Sequence, residues 1–427
     1  MMRADAVATG MLHTLSNGLR VAVAPMPGVE TVSVGVWVDV GGRHERPEEN
    51  GLAHMLEHMA FKGTTRRSAL RIAEEIEDVG GYLNAYTSRE QTAYYARVMR
   101  DDTDLAIELI ADILLQSTFP EDELAREREV VRQEIAQVND TPDDLIFDHL
   151  QAAAYPDQAV GRSILGLPER VATFARSDLQ GFLGRGYGAQ RMVVAAAGAV
   201  DPDAFVKAIE KLFADVGAVD TDAPEAAVWR GGSIIDPRSL EQTHLALGFD
   251  GIAIHDPDFI TAQVVSNLLG GGMSSRLFQE VREKRGLAYS VFSFAGAMAD
   301  GGMVGVYAAS APESVAELGP VLAEEIRRVA RDANEVETAR ARAQMKAGLV
   351  MSLESSSARL EQIARQVLVH GQPLQTSDLL ARVDEVDVDA TRRVAARLFE
   401  SGKPLALAAV GDTEQLATPE VFAAHFA

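Results

Sequence analysis

Residues 54–58 read His-Met-Leu-Glu-His, which places two imidazoles four positions apart with a carboxylate between them. On a helix of 3.6 residues per turn, His54 and His58 lie one above the other, and Glu57 borders the same face. Two stacked imidazoles form half of a tetrahedral zinc site, and a nearby carboxylate that does not bind metal can deprotonate a zinc-bound water. The order H-x-x-E-H is the reverse of H-E-x-x-H, which is the more familiar zinc-binding motif. A chance histidine pair on a core helix is the alternative interpretation.

A catalytic zinc site needs a third protein ligand, because such sites usually combine three protein ligands with one open position. The chain has no cysteine, and its other histidines show no metal-ligand spacing. Carboxylates are plentiful, with 63 Asp and Glu against 40 Lys and Arg, so composition does not identify the ligand.

The segment Glu121–Val138 has the pattern of a long helix, and it contains two candidate carboxylates. Pro120 and the acidic residues that follow suit a first helical turn. Glu127 and Glu134 are seven residues apart and share a helical face. The alternative is a solvated charged helix, but both acids lie close to the apolar stripe. That stripe is predicted to contain Leu124, Val130, Val131, Ile135 and Val138.

Three segments together resemble the pitrilysin (M16, inverzincin) family of zinc peptidases: residues 51–64, 80–94 and 127–138. The resemblance implies that Glu134, at 134 − 58 = 76 residues after the second histidine, is the third zinc ligand. It assigns the catalytic roles to Glu57, which activates the zinc-bound water, and to Glu127, which supports the zinc ligands. It also implies that Asn84 and Ala85 lie on the strand that presents the peptide substrate.

The segment Leu268–Tyr289 carries a second group of candidate residues. Its glycines at 270–272 allow a tight turn, but the sequence has neither the spacing nor the Lys-Ser/Thr of a phosphate loop. The resemblance implies that Arg282 and Tyr289 contact the substrate from the second half of the chain, where they could stabilise an oxyanion. A surface arginine and a core tyrosine without such a role are the alternative.

An acidic pair follows the distal helix in the segment T-P-D-D-L-I-F-D-H-L. The motifs most resemble those of bacterial relatives of the mitochondrial processing peptidase catalytic (beta) subunit. By that resemblance, Asp144 and Asp148 would bind a basic residue near the cleavage site. They are four residues apart on a helix predicted to begin near Pro142, so they point the same way. A surface acid pair is the alternative.

The strand and helix patterns repeat weakly along the chain, which predicts two homologous α/β halves. Each half is expected to be a mainly antiparallel sheet packed with helices, and the two would form a clam-like chamber. The predicted domains are a catalytic zinc-binding domain at 1–216 and a substrate-binding, non-catalytic domain at 229–427. The Asp-, Ala- and Pro-rich stretch at 217–228 is predicted to link them. The second half has no H-x-x-E-H.

Composition narrows the possible function classes. A net charge of −23 argues against nucleic acid binding. The absence of cysteine and of a long apolar segment predicts a cytoplasmic protein with no membrane span. Together with the motifs, this predicts an endopeptidase with one Zn²⁺ per chain, acting on peptides or unfolded segments bound extended beside an edge strand. The family resemblance implies that the chain forms a homodimer or pairs with a paralogue. A non-catalytic scaffold or partner subunit is the alternative.

Overall fold

Two β-sheets of corresponding strand order organise the chain in the computed structural model, which describes residues 10–220 and 223–426. The first has the order β1-β2-β6-β3-β5-β4, and its strands are β1 (Met11–Thr14), β2 (Arg20–Pro25), β3 (Thr31–Val38), β4 (Tyr82–Thr87), β5 (Thr92–Met99) and β6 (Met192–Gly198). The second has the order β7-β11-β8-β10-β9, and its strands are β7 (Gly232–Pro237), β8 (Thr243–Asp250), β9 (Ala288–Ala297), β10 (Gly302–Ser310) and β11 (Ala406–Gly411).

The pairing directions of the two sheets also correspond. The pairs β2–β6 and β7–β11 are parallel, and the other pairs in both sheets are antiparallel. Apart from β1, each strand of the first sheet therefore has a counterpart in the second. The prediction of two mainly antiparallel α/β halves is confirmed.

Helices occupy most of the remaining described chain. The α-helices are α1 (Leu52–Ala60), α2 (Ala69–Glu77), α3 (Thr103–Leu115), α4 (Glu121–Asn139), α5 (Pro142–Ala154), α6 (Pro168–Val171), α7 (Arg176–Gly186), α8 (Pro202–Leu212), α9 (Phe259–Gly270), α10 (Val315–Asp332), α11 (Glu335–Ser352), α12 (Ser356–His370), α13 (Thr376–Asp384), α14 (Val388–Phe399) and α15 (Pro419–Ala424). Short 3-10 helices lie at Gly42–His44, Pro47–Glu49, Arg100–Asp102, Ala159–Gly161, Ala189–Arg191 and Pro312–Ser314, and a π-helix spans Phe278–Lys284. Among the described residues, none of these helices combines the length and apolarity needed to cross a membrane.

The chain divides into two compact units, each built around one sheet. The first contains the described parts of Met1–Ile135, Ser163–Glu225 and Val350–Leu379, and the second contains those of Ala136–Arg162, Ala226–Leu349 and Leu380–Ala427. Each unit includes one helix from the other half of the sequence. Helix α12 packs on β2, β3 and β6, and α5 packs on β7, β8 and β11. The domain intervals 1–216 and 229–427 remain a prediction about the sequence halves.

Small side chains form the sheet face that receives each of these helices. In the first unit, alanines of β2 and β6 pack against Leu360, Ile363 and Val367 of α12. In the second, alanines of β8 and β11 pack against Ile146, Leu150 and Ala153 of α5. Placing small residues opposite large ones lets a helix interdigitate closely with a sheet. Larger apolar side chains fill the opposite faces, so the inner strands are buried on both sides.

Candidate functional site

Helix α1 carries the H-x-x-E-H segment, and its N-terminus is fixed by two features. Gly51 precedes the helix with φ of +95°, a left-handed conformation that favours glycine. The buried carboxylate of Glu45 accepts hydrogen bonds from the backbone N–H groups of Gly51 at 3.0 Å and Ala53 at 2.7 Å. These bonds satisfy N–H groups that a helix leaves without partners at its start. The remaining face of α1 packs into the core and keeps the histidine face partly open.

Helix α4 carries the two predicted acidic positions and confirms the predicted helix. Leu124, Val131 and Ile135 anchor it in the core. Glu127 is buried on the same side, whereas Glu134 is only partly buried. Val130 was predicted to lie in the apolar stripe, and this is wrong because its side chain is 39% exposed. The buried stripe follows the spacing 124, 127, 131 and 135, and Glu127 occupies a position in it.

Helices α1 and α4 bring together three atoms that could coordinate a metal ion. Glu134 Oε2 lies 3.7 Å from His54 Nε2 and 3.5 Å from His58 Nε2. One ligand atom from each of these residues can be chosen so that all lie within 4.8 Å of one another. Bonds of 2.0–2.1 Å to a tetrahedral zinc ion would separate neighbouring ligand atoms by about 3.4 Å. These separations are too long for hydrogen bonds and fit the edges of such a tetrahedron.

A second carboxylate orients one of the histidine rings. Glu127 Oε2 lies 2.9 Å from His58 Nδ1, and its Oε1 lies 2.7 Å from Lys62 Nζ. Burial would raise the pKa of Glu127, but the hydrogen bonds from His58 and Lys62 hold it below its ordinary value. The ionised carboxylate can only accept, so Nδ1 of His58 carries a proton, and in the neutral ring Nε2 has the free lone pair. Carboxylates commonly orient metal-binding histidines in this way.

The surroundings of the two imidazoles shift their pKa values in opposite directions. Burial, together with the neighbouring His58, lowers the pKa of His54 to about 3, so His54 is neutral at pH 7. Burial also acts to lower the pKa of His58, but the hydrogen bond to Glu127 and the nearby carboxylates raise it overall. Neutral imidazole is the form that binds zinc, so metal binding would displace a proton from His58 whenever the ring is protonated.

Glu57 lies beside these ligands and is held by a residue from the edge strand. The hydroxyl of Thr87, at the end of β4, donates to Glu57 Oε2 at 2.6 Å. Burial raises the pKa of Glu57, although the hydrogen bond from Thr87 opposes this shift. A backbone hydrogen bond from Thr87 also reaches the Glu57 carboxylate. The contacts with Thr87 therefore fix the orientation of this carboxylate.

Asn84 and Ala85 lie on β4, which is the edge strand of the first sheet and pairs only with β5 there. The side chain of Asn84 is exposed, and its Oδ1 accepts a hydrogen bond from the backbone N–H of Ala85 at 2.9 Å. An edge strand presents backbone groups that an extended peptide can pair with.

The remaining predicted site residues belong to the second unit. The guanidinium of Arg282 lies 4.2 Å from the ring centroid of Tyr289, so the structure brings this pair together. Tyr289 is 73% exposed and is therefore not a core residue. Asp144 and Asp148 lie four residues apart on α5, where Asp144 is exposed and Asp148 is partly buried.

Sequence reasoning missed three residues that support the site: Glu45, Lys62 and Thr87. Glu45 lies outside the motif and ahead of α1, and its capping role depends on the fold of the intervening loop. Thr87 belongs to the segment that resembles the family, but its contact with Glu57 joins residues 30 positions apart. Lys62 lies just beyond the end of α1, four residues after His58, and this closeness in sequence could have indicated that it shares a partner with His58.

Comparison with protein families identifies the group to which this chain belongs. The family model described as "Insulinase (Peptidase family M16)" matches residues 20–167, and the model described as "Peptidase M16 inactive domain" matches residues 173–345. The chain belongs to the M16 peptidase family. The first M16 model covers His54, Glu57, His58 and Glu134, whereas the second covers sequence that lacks an H-x-x-E-H motif.

Curated M16 relatives match over most of their length. An uncharacterized zinc protease of Mycobacterium tuberculosis is 42% identical, covering 90% of both chains. An uncharacterized zinc protease of Bacillus subtilis is 36% identical over 92% of this chain and 97% of that protein. A probable mitochondrial-processing peptidase subunit beta of Arabidopsis thaliana is 38% identical over 94% of this chain and 78% of that protein. The predicted family resemblance is confirmed.

Solved structures share the fold of this chain. A protease from Helicobacter pylori superposes with a TM-score of 0.86 at 24% identity, covering 95% of this chain and all of that one (100%). A chain of Complex III2 from Candida albicans has a TM-score of 0.85 at 22% identity, covering 97% of this chain and 99% of that one. At these identities the likeness concerns the fold alone.

Proposed function

We propose that this chain is a zinc-dependent endopeptidase that hydrolyses peptides or unfolded segments. The observation that carries the proposal is the gathering of His54 Nε2, His58 Nε2 and Glu134 Oε2 within metal-binding separation of one another. These residues would hold one Zn²⁺ per chain. When bound, zinc supplies Lewis acidity that polarises a carbonyl and lowers the pKa of water.

Glu57 is proposed as the general base. It immediately precedes His58, and its carboxylate can accept a proton from the attacking water. Because burial raises its pKa, Glu57 can retain that proton long enough to pass it to the leaving amine. Thr87 fixes the carboxylate of Glu57, and Glu127 with Lys62 fixes the ring of His58. Because these contacts already orient the side chains, few of them need to move when the proton is transferred.

The edge strand β4 is proposed as the substrate-binding strand. An extended peptide would add to its unpaired edge through backbone hydrogen bonds, with Asn84 and Ala85 at the contact. We further propose that Arg282 and Tyr289 bind the substrate backbone, and that Asp144 and Asp148 favour a basic residue near the cleavage site. Two carboxylates at i, i+4 can bind an arginine through charge-assisted hydrogen bonds.

Two further proposals concern the oligomeric state of the chain and its cellular compartment. The Arabidopsis relative is named a subunit, which supports pairing of this chain with a second copy or with a paralogue; light scattering would establish which assembly forms. The absence of cysteine is compatible with a reducing compartment such as the cytoplasm.

The test of the peptidase function is the substitution Glu57→Gln. It removes the base and keeps all three metal-binding side chains, so the variant should copurify with about one zinc per chain. Its turnover of peptides should fall by a factor of ~10²–10⁴, the usual contribution of general base catalysis. The measurements are elemental analysis of the purified protein and cleavage of a peptide library, with chelator inhibition reversed by zinc.

The matched control is Glu77→Gln, which changes an exposed glutamate at the end of α2. This variant should retain both zinc and turnover. Wild-type turnover by Glu57→Gln would exclude Glu57 as the base. A wild-type chain that binds no zinc and cleaves nothing would instead support the non-catalytic scaffold role.

A further inference from the structure

In the described part of the chain, the second sheet has no counterpart of β1, so one side of its edge strand β7 is free. In the first sheet, β1 covers the outer side of β2 by antiparallel pairing. Strands β2 and β7 correspond, because each pairs in parallel with an inner strand and ends in a proline opposite a glycine. Equivalent hydrogen bonds of 2.8 Å follow these prolines. Met26 N–H donates to Gly198 O in the first sheet, and Arg238 N–H donates to Gly411 O in the second.

The free side of β7 presents unpaired backbone groups. Gly232 donates its N–H to Leu405 O at 3.0 Å, and the N–H of Arg238 also faces the neighbouring chain, so the even-numbered residues point into the sheet. Ser233 and Ile235 alternate with them and direct their N–H and C=O groups outward. These groups have no partner among the described residues. An edge of this kind can accept another extended chain.

Two consecutive isoleucines of β7 are incompletely covered. Ile234 packs against the α5 side of the sheet but stays partly exposed, and Ile235 points to the opposite face, where it is 38% exposed. Counted from the prolines, Ile235 corresponds to Val23 of β2, which pairs with Met11 and is 1% exposed. A strand added to β7 in the same register would place apolar residues opposite both isoleucines, and such cross-strand pairs stabilise a sheet.

Pro237 limits the length of this free edge but does not block it. Proline has no N–H, and prolines on edge strands reduce unwanted pairing. Pro25 has the equivalent position in β2, and β1 still pairs with the residues that precede it. The free edge of β7 therefore suits a short strand over residues 232–235.

A positive charge lies beside one end of this edge. Arg230 is exposed, precedes β7 by two residues and forms no ion pair with another described residue. Since β1 runs antiparallel to β2, a strand added to β7 in the same direction would leave the sheet beside Gly232. An acidic residue just beyond that strand would meet the guanidinium of Arg230, which adds charge complementarity to the backbone pairing.

We propose that the free edge of β7 binds an extended segment of a partner protein, with two consecutive aliphatic residues followed downstream by an acidic one. The segment adds to the second sheet in the register that β1 has on β2. The aliphatic pair lies opposite Ile235 and Ile234, and the acidic residue lies beside Arg230. This site is separate from the residues proposed for catalysis and does not rest on the peptidase function.

The probe is the fluorescein-labelled peptide Gly-Met-Leu-His-Thr-Leu-Glu, which has the sequence of residues 10–15 with an acidic end. Its binding to the full Glu57→Gln chain is measured by polarisation. In the β1 register, the N–H groups of its methionine and histidine point to β7, and those of its first leucine and threonine point away. N-methylation of the first pair should weaken binding tenfold or more, whereas N-methylation of the second pair should change it less than about threefold.

A variant of β7 locates the bound peptide. Ile235→Pro removes an outward N–H and the exposed side chain, and proline is tolerated where the N–H of an edge strand faces solvent. It should weaken binding of the probe tenfold or more and leave the urea midpoint of the chain unchanged. Val336→Ala, at a 68% exposed position of α11 in the same unit, is the control and should bind like the parent chain. Replacing the glutamate of the probe by lysine should weaken binding about twofold to fivefold.

Three outcomes would overturn the proposal. The probe would fail to bind, or both N-methylated peptides would lose affinity equally, or Ile235→Pro would bind the probe as well as the parent chain does, which would place the peptide on another edge. Light scattering of the chain alone tests a different occupant. A dimer that Ile235→Pro dissociates would assign the edge to a second copy of this chain instead of a partner.

Discussion

At the scale of single residues, the orientation of Glu57 depends on a hydroxyl from another element. The hydroxyl of Thr87 donates to Glu57 Oε2 at 2.6 Å. A carboxylate on a helix can otherwise adopt several rotamers, of which only some direct an oxygen to the metal-binding atoms. Thr87 is therefore a positioning residue that acts through Glu57.

Replacing Thr87 tests this positioning role. Thr87→Val preserves the shape of the side chain and removes the donor, so kcat should fall about tenfold, in line with ~1.5 kcal/mol for a hydrogen bond to a charged group. KM should stay within about twofold, because Thr87 is not proposed to contact the peptide. Thr87→Ser restores the hydroxyl and should restore kcat. Steady-state kinetics on one cleaved peptide measures both constants, and an unchanged kcat for Thr87→Val would refute the role.

At the scale of elements, the site depends on how firmly the start of α1 is held. Glu45 receives the N–H groups of Gly51 and Ala53 and the side-chain amide of Asn50, which lies 3.2 Å from its Oε2. Removing the carboxylate would take away the acceptor of these groups, and water could not easily replace it because the groups are buried. A buried donor without an acceptor costs about 1–3 kcal/mol. Fixing α1 in this way also fixes the two imidazoles on it.

Removing this cap should destabilise the first unit. We expect Glu45→Ala to lower its free energy of unfolding by about 2 kcal/mol, since helix caps contribute up to that amount. Trp37 is buried in the first unit and Trp229 belongs to the second, so a Trp229→Phe background lets tryptophan fluorescence report on the first unit. Chelator-treated protein is unfolded with urea. Glu48→Ala, at an exposed glutamate nearby, should leave the midpoint unchanged, and an equal midpoint for Glu45→Ala would contradict the capping role.

The elements around the site could be predicted from the sequence because local patterns encode them. Helices α1 and α4 follow apolar periodicity and the Pro120 start signal, and β4 follows from the family resemblance. The prediction for Val130 was wrong because the predicted stripe contained only apolar residues. The buried face of α4 instead includes the charged Glu127, and this face does not include Val130. The Glu45 cap and the Thr87 contact could not be predicted, since both join separate segments through tertiary packing.

At the scale of the whole molecule, one architecture is used twice with different chemistry. Helix α9 follows β8 as α1 follows β3, yet α9 contains no histidine or acidic residue. The two units therefore share an architecture but differ in function, because function depends on the side chains that each unit carries. The strand patterns predicted the two sheets. The exchange of α5 and α12 between the units could not be predicted, because both sheets offer a similar alanine-rich face to an apolar helix.

The stability of the first unit should also depend on a histidine outside the proposed metal site. Burial, together with the charges of Arg191 and Arg43, lowers the pKa of His44 to about 4, against 6.5 for an ordinary histidine. Between these values the unfolded chain binds a proton at His44 and the folded chain does not. Stability is therefore complete above pH 6.5 and is lost as the pH falls toward 4. From pH 7 to pH 5 this loss amounts to about 2 kcal/mol.

The substitution His44→Asn isolates this contribution. Its side-chain oxygen can accept the hydrogen bond that the Gly41 N–H donates to His44 Nδ1, but it does not titrate. In the Trp229→Phe background, urea unfolding of chelator-treated protein at pH 7 and at pH 5 gives the change in free energy for each variant. That change should be smaller by about 2 kcal/mol in His44→Asn, because only the other acidic and histidine groups still contribute. Equal pH dependence in the two proteins would show that His44 binds its proton equally well in the folded and unfolded chains.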